Sequence, residues 1–281
     1  MTADMTIKQV AEKTGLAPGT IRMWEHRYGF PEPKRSESGY RNYSDLDVDR
    51  IRSVVAYRDR GLSVPASIER ALATRSPLES SIYAAVATAE GAPKPQVLRK
   101  STLHALSRAM EHEALAQGTK SICFGAFQHE GFYRPVEQRY RQIARTADAT
   151  VVFADFKKVT DSGKGKPIEV PIGANDALGN EWIVIVDSPG YSACLLAWEQ
   201  PGENGRGGPR DSQRRFESLW TVDPKIVRRA AEVAAKLAAR NHEALGERLE
   251  DMLAARPLNA ENQTAALTAL TNRIVAYVEA A

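Results

Sequence analysis

The chain has 281 residues, of which 43% are hydrophobic and 26% charged, and its formal net charge is +3. This length suits two domains, and the apolar fraction is large enough for a packed core, so the composition excludes a wholly disordered chain. Residues 1–76 hold 13 Lys and Arg against 10 Asp and Glu, whereas the remainder holds 25 of each. An anionic partner of the N-terminal part must therefore be held by a few placed cations rather than by a general positive field.

Cys123 and Cys194 are the two cysteines, and neither belongs to a Cys-x-x-Cys pair. Both lie in strand-like apolar runs, where a free cysteine usually serves as a small hydrophobe. The N-terminus lacks the pattern of a signal peptide, and no apolar run approaches the ~20 residues that a membrane-spanning helix needs. We therefore expect a soluble, cytoplasmic protein with no metal site and no membrane partner.

The first elements have clear start and stop signals. Thr6 with Gln9 three positions on makes a capping box at the start of a helix. Gly15 supplies the turn that follows, and Pro18 suits the first turn of a second helix, where its missing N–H has no partner to lose. The pattern predicts two short helices joined by a tight turn.

The second helix presents a polar face. Ile21 and Trp24 repeat at i, i+3 and are expected to face inward. The residues expected to face outward are Thr20, Arg22, Met23, His26 and Arg27. Gly29, Pro31 and Pro33 end the helix. A basic and aromatic segment follows, made of Lys34, Arg35, Gly39, Tyr40, Arg41 and Tyr43.

An exposed helix followed by a cationic loop suits duplex DNA, because the helix fits the major groove and the loop reaches phosphates. Composition alone also allows ordinary surface arginines on a small helical domain, since acidic residues dilute the charge. The acidic residues concerned are Glu25, Glu32 and Glu37.

The order of residues in this region resembles the DNA-binding domain of MerR-type bacterial regulators. The matching segments are Thr6-Ile7-Lys8-Gln9-Val10-Ala11, Gly15-Leu16, Thr20-Ile21-Arg22-Met23-Trp24-Glu25 and Arg35-x-x-x-Gly39-Tyr40-Arg41-x-Tyr43. The resemblance covers about residues 5 to 73 and implies a winged helix-turn-helix with two further helices. It also implies a homodimer on promoter DNA with RNA polymerase as a partner, and leaves activation and repression equally open.

The resemblance assigns roles to nine residues. The major groove would be addressed by Thr20, Arg22, Met23, His26 and Arg27, and the backbone and flanking minor groove by Lys34, Arg35, Tyr40 and Arg41. The cobalamin-dependent branch of the family shares Trp24-Glu25-x-Arg27-Tyr28-Gly29, but its Asp-x-His-x-x-Gly motif is absent from this sequence. We therefore expect no cobalamin and no other cofactor.

Two helices are expected after the basic segment. Ser44 caps a helix to about Arg60, and Ser63 opens another through about Ala73. The positions of the first helix expected to face inward are Leu46, Ile51, Val54 and Val55. Its arginines, which alternate with aspartates, are interpreted as a solvated face, with a DNA contact as the alternative.

Residues 77–96 are expected to be a linker with one short helix over about 78–88, because Pro and Gly interrupt this stretch. The interrupting residues are Pro77, Gly91, Pro93 and Pro95. They exclude the long uninterrupted helix by which many MerR relatives pair, so the usual dimer geometry is in doubt.

From about residue 97 the elements read helix, strand, helix, strand and then a strand meander. We expect helices over 98–117 and 133–146, and strands over 121–127, 149–156, 168–172, 182–187, 191–198 and 215–222. Residues 200–213 are expected to be a loop, and helices fill 223–281, beginning at Asp223-Pro224. The last helix steps by 3, 4 and 3 at Leu267, Leu270, Ile274 and Tyr277, which suits either packing on the sheet or a dimer seam.

This second region resembles a DICT domain, a sensory module found beside diguanylate cyclases and two-component proteins. The matching segments include Leu106-Ser107-Arg108-Ala109-Met110-Glu111, Val151-Val152-Phe153-Ala154-Asp155-Phe156, and Asp187 to Trp198. The resemblance covers about residues 97 to 222. It implies sensing but supplies no ligand and no binding residue.

Five residues of this region are candidate ligand-binding groups, because their side chains can form ion pairs or stack. They are Tyr133, Arg134, Arg141, Tyr191 and Trp198. Arg141 lies four residues after Glu137, so a surface ion pair is the favoured alternative for it.

No enzyme signature is complete. Gly163-Lys164-Gly165-Lys166 has Pro167 where a phosphate-binding loop needs Ser or Thr. His112 stands between Glu111 and Glu113 on a helix, where adjacent side chains diverge and cannot share a metal ion. We therefore expect no catalytic residues.

The sequence thus predicts an α+β protein of several domains. The parts are a mainly α-helical winged helix-turn-helix at 1–76, a linker at 77–96, an α/β sensory domain with a mixed sheet at 97–222, and helices at 223–281. The predicted function is transcriptional regulation in response to an unknown small-molecule or protein signal. The alternative is a signalling adaptor whose C-terminal part docks a partner protein, with DNA binding serving to deliver it.

Overall fold

The computed structural model describes residues 5–36, 39–59, 63–72, 81–87, 89–118, 120–173, 176–200, 208, 211–258 and 264–279. Several expected features lie outside these residues: the helix ends at Arg60 and Ala73, the start of the short helix near residue 78, and most of the loop over 200–213. The chain forms two compact units, Met1–Pro77 and Leu78–Ala281.

The first unit contains four helices and one small hairpin among its described residues. In chain order these are α1 (Ile7–Thr14), α2 (Pro18–Tyr28), β1 (Lys34–Arg35), β2 (Arg41–Asn42), α3 (Asp45–Asp59) and α4 (Val64–Leu72). The unit has its own hydrophobic core, in which Ile21, Trp24, Tyr43 and Ile51 are fully buried. The predicted inward face of α2 is confirmed.

The predicted caps of this unit are confirmed. The Thr6 N–H donates to Gln9 Oε1 at 2.8 Å in the capping box. Gly15 ends α1 with φ 71°, a conformation that favours glycine, and its N–H donates to the Ala11 carbonyl. At α3 the Asp47 N–H donates to Ser44 Oγ at 3.2 Å. These contacts satisfy N–H and C=O groups that helix ends otherwise leave without partners.

In α3 the inward-facing residues differ from the prediction at one position, and the contacts of the arginines can be described. Leu46 was expected to face inward but is 45% exposed, because Val48 takes the inward position of the first turn, whereas Ile51 and Val54 are buried as predicted. Two arginines of α3 contact other residues of the first unit. Arg52 Nε donates to the Lys13 carbonyl at 3.0 Å, and the Arg58 guanidinium lies 5.6 Å from the centre of the Trp24 ring.

The second unit contains seven helices and seven strands among its described residues. The helices are α5 (Ile82–Ala87), α6 (Lys100–Gln117), α7 (Glu130–Tyr133), α8 (Glu137–Thr146), α9 (Pro224–Asn241), α10 (Glu243–Ala254) and α11 (Thr264–Glu279). The strands are β3 (Gln96–Arg99), β4 (Ile122–Ala126), β5 (Ala149–Ala154), β6 (Ile168–Pro171), β7 (Glu181–Asp187), β8 (Ala193–Glu199) and β9 (Arg215–Thr221).

The seven strands form one mixed sheet in the order β3-β9-β8-β7-β4-β5-β6. β4, β5 and β6 run parallel, and the remaining neighbours pair antiparallel. The predicted hairpin of β7 and β8 is confirmed, with Val184 opposite Leu195. The mixed α/β sheet expected from the sequence is therefore present.

Helices cover the sheet on both faces. On one face the core cluster joins α6, α8 and α11 to alternate residues of the strands, such as Val184 and Val186 of β7. The neighbouring β7 residues point the other way, where Glu181 accepts a hydrogen bond from Ser81 beside α5 and Asp187 pairs with Arg228 of α9 at 2.6 Å. Both cysteines are buried in this sheet, as expected, and burial raises the pKa of each thiol to about 12.

The segment expected as a linker belongs to this unit. All six residues of α5 are buried, and the Tyr83 hydroxyl donates to Glu217 of β9. Of the residues that suggested a linker, Gly91 lies in a turn of this unit, Pro93 and Pro95 lie in the irregular segment before β3, and Pro77 is outside the described residues. The helix expected from residue 98 begins at Lys100, and residues 96–99 form the edge strand β3 instead.

Two further expectations change in detail. The helix expected over 133–146 is divided, because a 3-10 turn over Arg134–Val136 that contains Pro135 separates α7 from α8. For α11 the alternative of packing within the unit is supported, since Leu270 is 1% exposed and lies in the cluster with α6.

The close approach of α9 and α10 generates a stability prediction. A Cβ atom at Gly246 would lie 2.2 Å from Ala239 Cβ and 2.7 Å from Ala239 Cα. We expect Gly246→Ala to lower the free energy of unfolding of this unit by about 1–3 kcal/mol, because the helices must separate. Chemical denaturation of the full chain followed by circular dichroism measures the change.

Gly179→Ala is the matched control, because a Cβ atom there meets nothing within 4 Å. We expect it to change the stability by less than about 1 kcal/mol. Equal stability of the Gly246→Ala variant and the wild type would contradict the close helix contact.

Candidate nucleic-acid interface

The outer face of α2 carries the residues that the sequence assigned to DNA. Arg22, Met23, His26 and Arg27 are exposed, and Thr20 is partly exposed. The inner face is fixed by Ile21 and Trp24, both 0% exposed. The helix is therefore held rigidly from below, while its polar face is free for a partner.

A cationic hairpin follows α2, and we call it the wing: β1, β2 and the turn between them. β1 pairs antiparallel with β2, with Arg35 opposite Arg41. The turn is closed by the Gly39 N–H, which donates to the Ser36 carbonyl at 2.9 Å, and Gly39 has φ 82°. Lys34 and Arg35 are exposed, and Tyr40 at the turn is 75% exposed.

Glu25 joins the wing to α2. The Arg41 Nε–H lies 2.7 and 3.0 Å from the two carboxylate oxygens of Glu25 and donates to them. This charged hydrogen bond raises the pKa of Arg41 above its ordinary value. The Arg35 guanidinium lies 3.9 Å from the same carboxylate. The wing is thus tied to the helix whose outer face it flanks.

This contact is not predicted from the sequence, where Glu25 counts only as one of the acidic residues that dilute the positive charge. Arg41 was assigned to the DNA backbone, yet its Nε is engaged within the protein and its side chain is only 35% exposed. Glu25 and Arg41 are 16 residues apart, so no helical spacing signals the pair. The position of Glu25 next to Trp24, which is predicted to face inward, is the one local feature that could suggest a contact within the domain.

The wing is also tied to the start of the chain. Met5 and Tyr43 form a β-bridge with hydrogen bonds of 2.8 and 2.9 Å in the two directions. Tyr43 is fully buried in the core with Trp24. The strand that leaves the wing therefore enters the core directly, which limits how far the wing can move relative to α2.

Three of the five ligand candidates in the second unit lie close together, and two lie elsewhere. The Arg134 guanidinium is 5.2 Å from the centre of the Tyr133 ring, and Arg134 and Arg141 both pair with Glu137. Tyr133 is buried in an aromatic cluster with Tyr140 and Phe156. Tyr191 is 1% exposed in the core beneath α6, whereas Trp198 follows Ala197 on β8 and so faces the opposite layer.

The two arginines of that set lie on the surface. Arg134 donates to Glu130, Glu137 and Glu169 at 2.6 to 3.0 Å. Arg141 Nε donates to Glu137 at 2.8 Å, which is the surface pair that the sequence favoured. Both cations already have carboxylate partners.

The side chains of the consecutive residues Glu111, His112 and Glu113 on α6 point in different directions, as expected. Glu111 pairs with Arg139, Glu113 pairs with Arg273 at 3.0 Å, and His112 Nδ1 lies 2.6 Å from the Tyr277 hydroxyl. The three side chains serve different contacts.

Three family models match separate parts of the chain. Residues 5–73 match the model of MerR HTH family regulatory proteins. Residues 79–200 match DICT, described as a sensory domain in diguanylate cyclases and two-component systems, and residues 210–281 match a C-terminal domain of a two-partite extracellular sensor domain. The chain thus contains a MerR-type helix-turn-helix domain followed by a DICT sensory domain.

Curated relatives match about a fifth of the chain. The HTH-type transcriptional regulator MlrA of Salmonella typhimurium is 41% identical over 59 residues, which is 21% of this chain and 24% of the relative. The HTH-type transcriptional repressor CarA of Myxococcus xanthus is 44% identical over 66 residues, 23% of each chain. The chain therefore spans about a quarter of the length of these relatives. Within the described residues no helix has the length and apolar character needed to cross a membrane.

The contact between Glu25 and Arg41 generates a second prediction. We expect a double-mutant cycle with Glu25→Gln and Arg41→Gln to give a coupling of about 0.5–1 kcal/mol, because the pair is charged but partly exposed. Urea denaturation of residues 1–77, which have their own core, measures the free energies of unfolding.

The pair Glu25 and Arg35 is the control for this cycle. Its charged atoms are 3.9 Å apart and Arg35 is 62% exposed, so we expect a coupling near zero. Equal coupling free energies for the two pairs would show that the contact between Glu25 and Arg41 stabilises the wing no more than an exposed surface ion pair does.

Proposed function

We propose that this protein is a transcriptional regulator that binds promoter DNA as a homodimer. Residues 1–77 would contact the DNA, and the unit over 78–281 would change that binding in response to a signal. RNA polymerase would be the partner at the promoter, and the cytoplasm the place of action. The MerR-type and DICT matches, and the regulators among the relatives, support this proposal.

One observation carries the DNA-binding part of the proposal: the outer face of α2 and the wing lie side by side and are tied together. Arg22, Met23 and His26 are exposed at the surface of a helix, which is the element that fits a major groove. Lys34 and Arg35 stand beside it on the wing as exposed cations suited to phosphates. The contact of Arg41 with Glu25 sets the spacing between the two elements.

Thr20, Arg27 and Tyr40 complete the proposed interface. Thr20 and Arg27 would contact base edges beside Arg22, and Tyr40, three-quarters exposed, would pack on the sugar-phosphate backbone. Arg41 has two roles in this proposal. It positions the wing through Nε, and its remaining guanidinium nitrogens would reach a phosphate.

The proposed homodimer needs a pairing surface other than one long helix. Among the described residues between the first unit and α6, the one helix is α5, with six residues, and it is buried. A pairing surface would therefore lie elsewhere on the second unit, which gives the full chain a role in binding that residues 1–77 lack.

Fluorescence anisotropy tests the proposal. Full-length protein and residues 1–77 are titrated onto duplexes from the protein's own upstream region and onto shuffled duplexes, across a salt series. We expect tight, sequence-dependent binding by the full chain and weak binding by residues 1–77. If neither the full chain nor residues 1–77 binds DNA at low salt, the proposal is rejected. Equal binding by both proteins would reject a role of the second unit in dimerisation.

Lys34 provides the residue-level prediction. It is exposed on β1, and no acidic partner for it is found in the described part of the chain. We expect Lys34→Ala to weaken binding to cognate and shuffled DNA alike and to reduce the slope of log K against log salt by about one, since one phosphate contact is lost.

Lys157→Ala is the control for Lys34→Ala, because it removes the same charge from an exposed position of the second unit. It should leave both affinity and slope unchanged. A loss confined to cognate DNA in the Lys34→Ala variant would reject the phosphate role.

A further inference from the structure

The second unit contains a cleft that neither the proposed interface nor the five sequence candidates use. It lies between α6, the segment from Phe127 to Arg139, and the start of β7, and its volume is about 180 Å³. An engineered apolar cavity of about 150 Å³ binds benzene. The cleft, which we call the α6 cleft, therefore has room for one aromatic ring with a small substituent.

One side of the α6 cleft is a stripe along α6. Lys100, His104, Ser107 and Glu111 all line it. Their spacing of 4, 3 and 4 puts them on one face of the helix. The adjacent stripe, which includes Leu103, packs into the core. The helix thus anchors itself with one stripe and presents the other to the cleft.

The other sides of the α6 cleft are aromatic. Phe127, Phe132 and Trp182 line it, and most of its accessible lining is apolar. The Trp182 ring stands edge-on to His104, with ring centres 4.7 Å apart. Such walls favour a flat aromatic guest, because rings in edge-to-face or offset contact gain energy beyond the area that they bury.

The cations of the α6 cleft are already neutralised. Lys100 pairs with Asp211, and Arg139 pairs with Glu111. Asp211 also accepts from Arg214, which in turn pairs with Glu199. An anionic ligand would have to displace one of these carboxylates from its cation. The charge balance therefore favours an uncharged ligand.

Two polar groups remain available. Ser107 Oγ accepts a hydrogen bond from Trp182 Nε1 at 2.8 Å, and within the described residues its own proton has no acceptor. Partial burial of the imidazole, together with the charge of Lys100, lowers the pKa of His104, so at pH 7 the ring offers one donor and one acceptor. A ligand with one polar substituent would be recognised by these two residues.

The geometry points to the α6 cleft as the binding site for a small, uncharged, planar aromatic molecule with one hydrogen-bonding substituent. Phe132 and Trp182 hold its ring, and Ser107 donates a hydrogen bond to its substituent. This inference rests on the proposed sensing role of the second unit, for which the cleft supplies the site and the ligand class.

Calorimetric titration of the full-length protein tests the ligand class. The probes are the uncharged aromatics benzamide, phenol and indole, the anion benzoate and the non-planar cyclohexanecarboxamide. We expect saturable binding of at least one uncharged aromatic, and binding at least about tenfold weaker for benzoate and cyclohexanecarboxamide. No saturable binding of any of the three uncharged aromatics, or equal binding of benzoate and benzamide, would overturn the inference.

Variants test the location. Ser107→Ala removes the hydroxyl and keeps the space, and Phe132→Leu removes an aromatic wall. We expect each to weaken binding about fivefold. Arg141→Ala, which alters an exposed cation outside the cleft, should leave binding unchanged. Wild-type affinity in the Ser107→Ala variant together with a loss in Arg141→Ala would move the site away from the cleft and overturn the inference.

Anisotropy on DNA with and without the bound probe separates this inference from the proposed function. Saturable binding in the cleft with unchanged DNA affinity would support the site and reject its role in regulation. Intact DNA binding with no aromatic ligand would reject the site and leave the regulator proposal standing.

Discussion

The sheet of the second unit must be covered on both faces, and this requirement places most of the chain after residue 80. β4, β5 and β8 are buried along their whole lengths, so water reaches neither face of the sheet at these strands. A sheet with two apolar faces is stable only between two further layers. α6 and α8 cover one face, with α11 packed on α6 in the same cluster, and α5 and α9 cover the other, with α10 packed on α9. The short helix before the sheet and the helices after it are therefore as necessary to the unit as the strands themselves.

The same constraint connects two regions that the family models treat separately. The DICT match ends at residue 200, and the following match begins at residue 210. β9 belongs to the second match, yet it lies between β3 and β8 inside the sheet. Without β9 the edge strand β3 has no neighbour, and the outer side of β8 loses its hydrogen-bond partner. The two matched regions therefore share one sheet within one compact unit.

Local sequence patterns predicted most of the helices and strands. The burial and packing of these elements depend on contacts between residues distant in sequence, which local patterns do not show. The caps at Thr6 and Ser44, the hairpin of β7 and β8 and the buried cysteines all follow from spacing within a few residues. β3 was missed because an edge strand with mostly exposed side chains shows no alternation. α5 was placed in a linker because its burial depends on β7, β8 and α9. Tyr191 and Trp198 lie apart from the other three ligand candidates for a related reason, since both are buried by contacts distant in sequence.

The α6 cleft shows what the sequence could not reveal. A polar stripe at i, i+4, i+7 and i+11 beside an apolar stripe is the ordinary pattern of a surface helix, so burial of Lys100, Ser107 and Glu111 is visible only in the structure. Glu111 is the deepest residue of that stripe, and burial raises its pKa while Arg139 opposes the shift. The Tyr140 hydroxyl donates to Glu111 at 2.8 Å. Tyr140 in turn occupies the space over Gly125, where a Cβ atom would lie 2.7 Å from its hydroxyl oxygen. The floor of the cleft is thus fixed by contacts that run to the central strand β4. A cleft whose polar floor is held by the sheet is already formed before a ligand arrives, and a preformed site loses less entropy on binding.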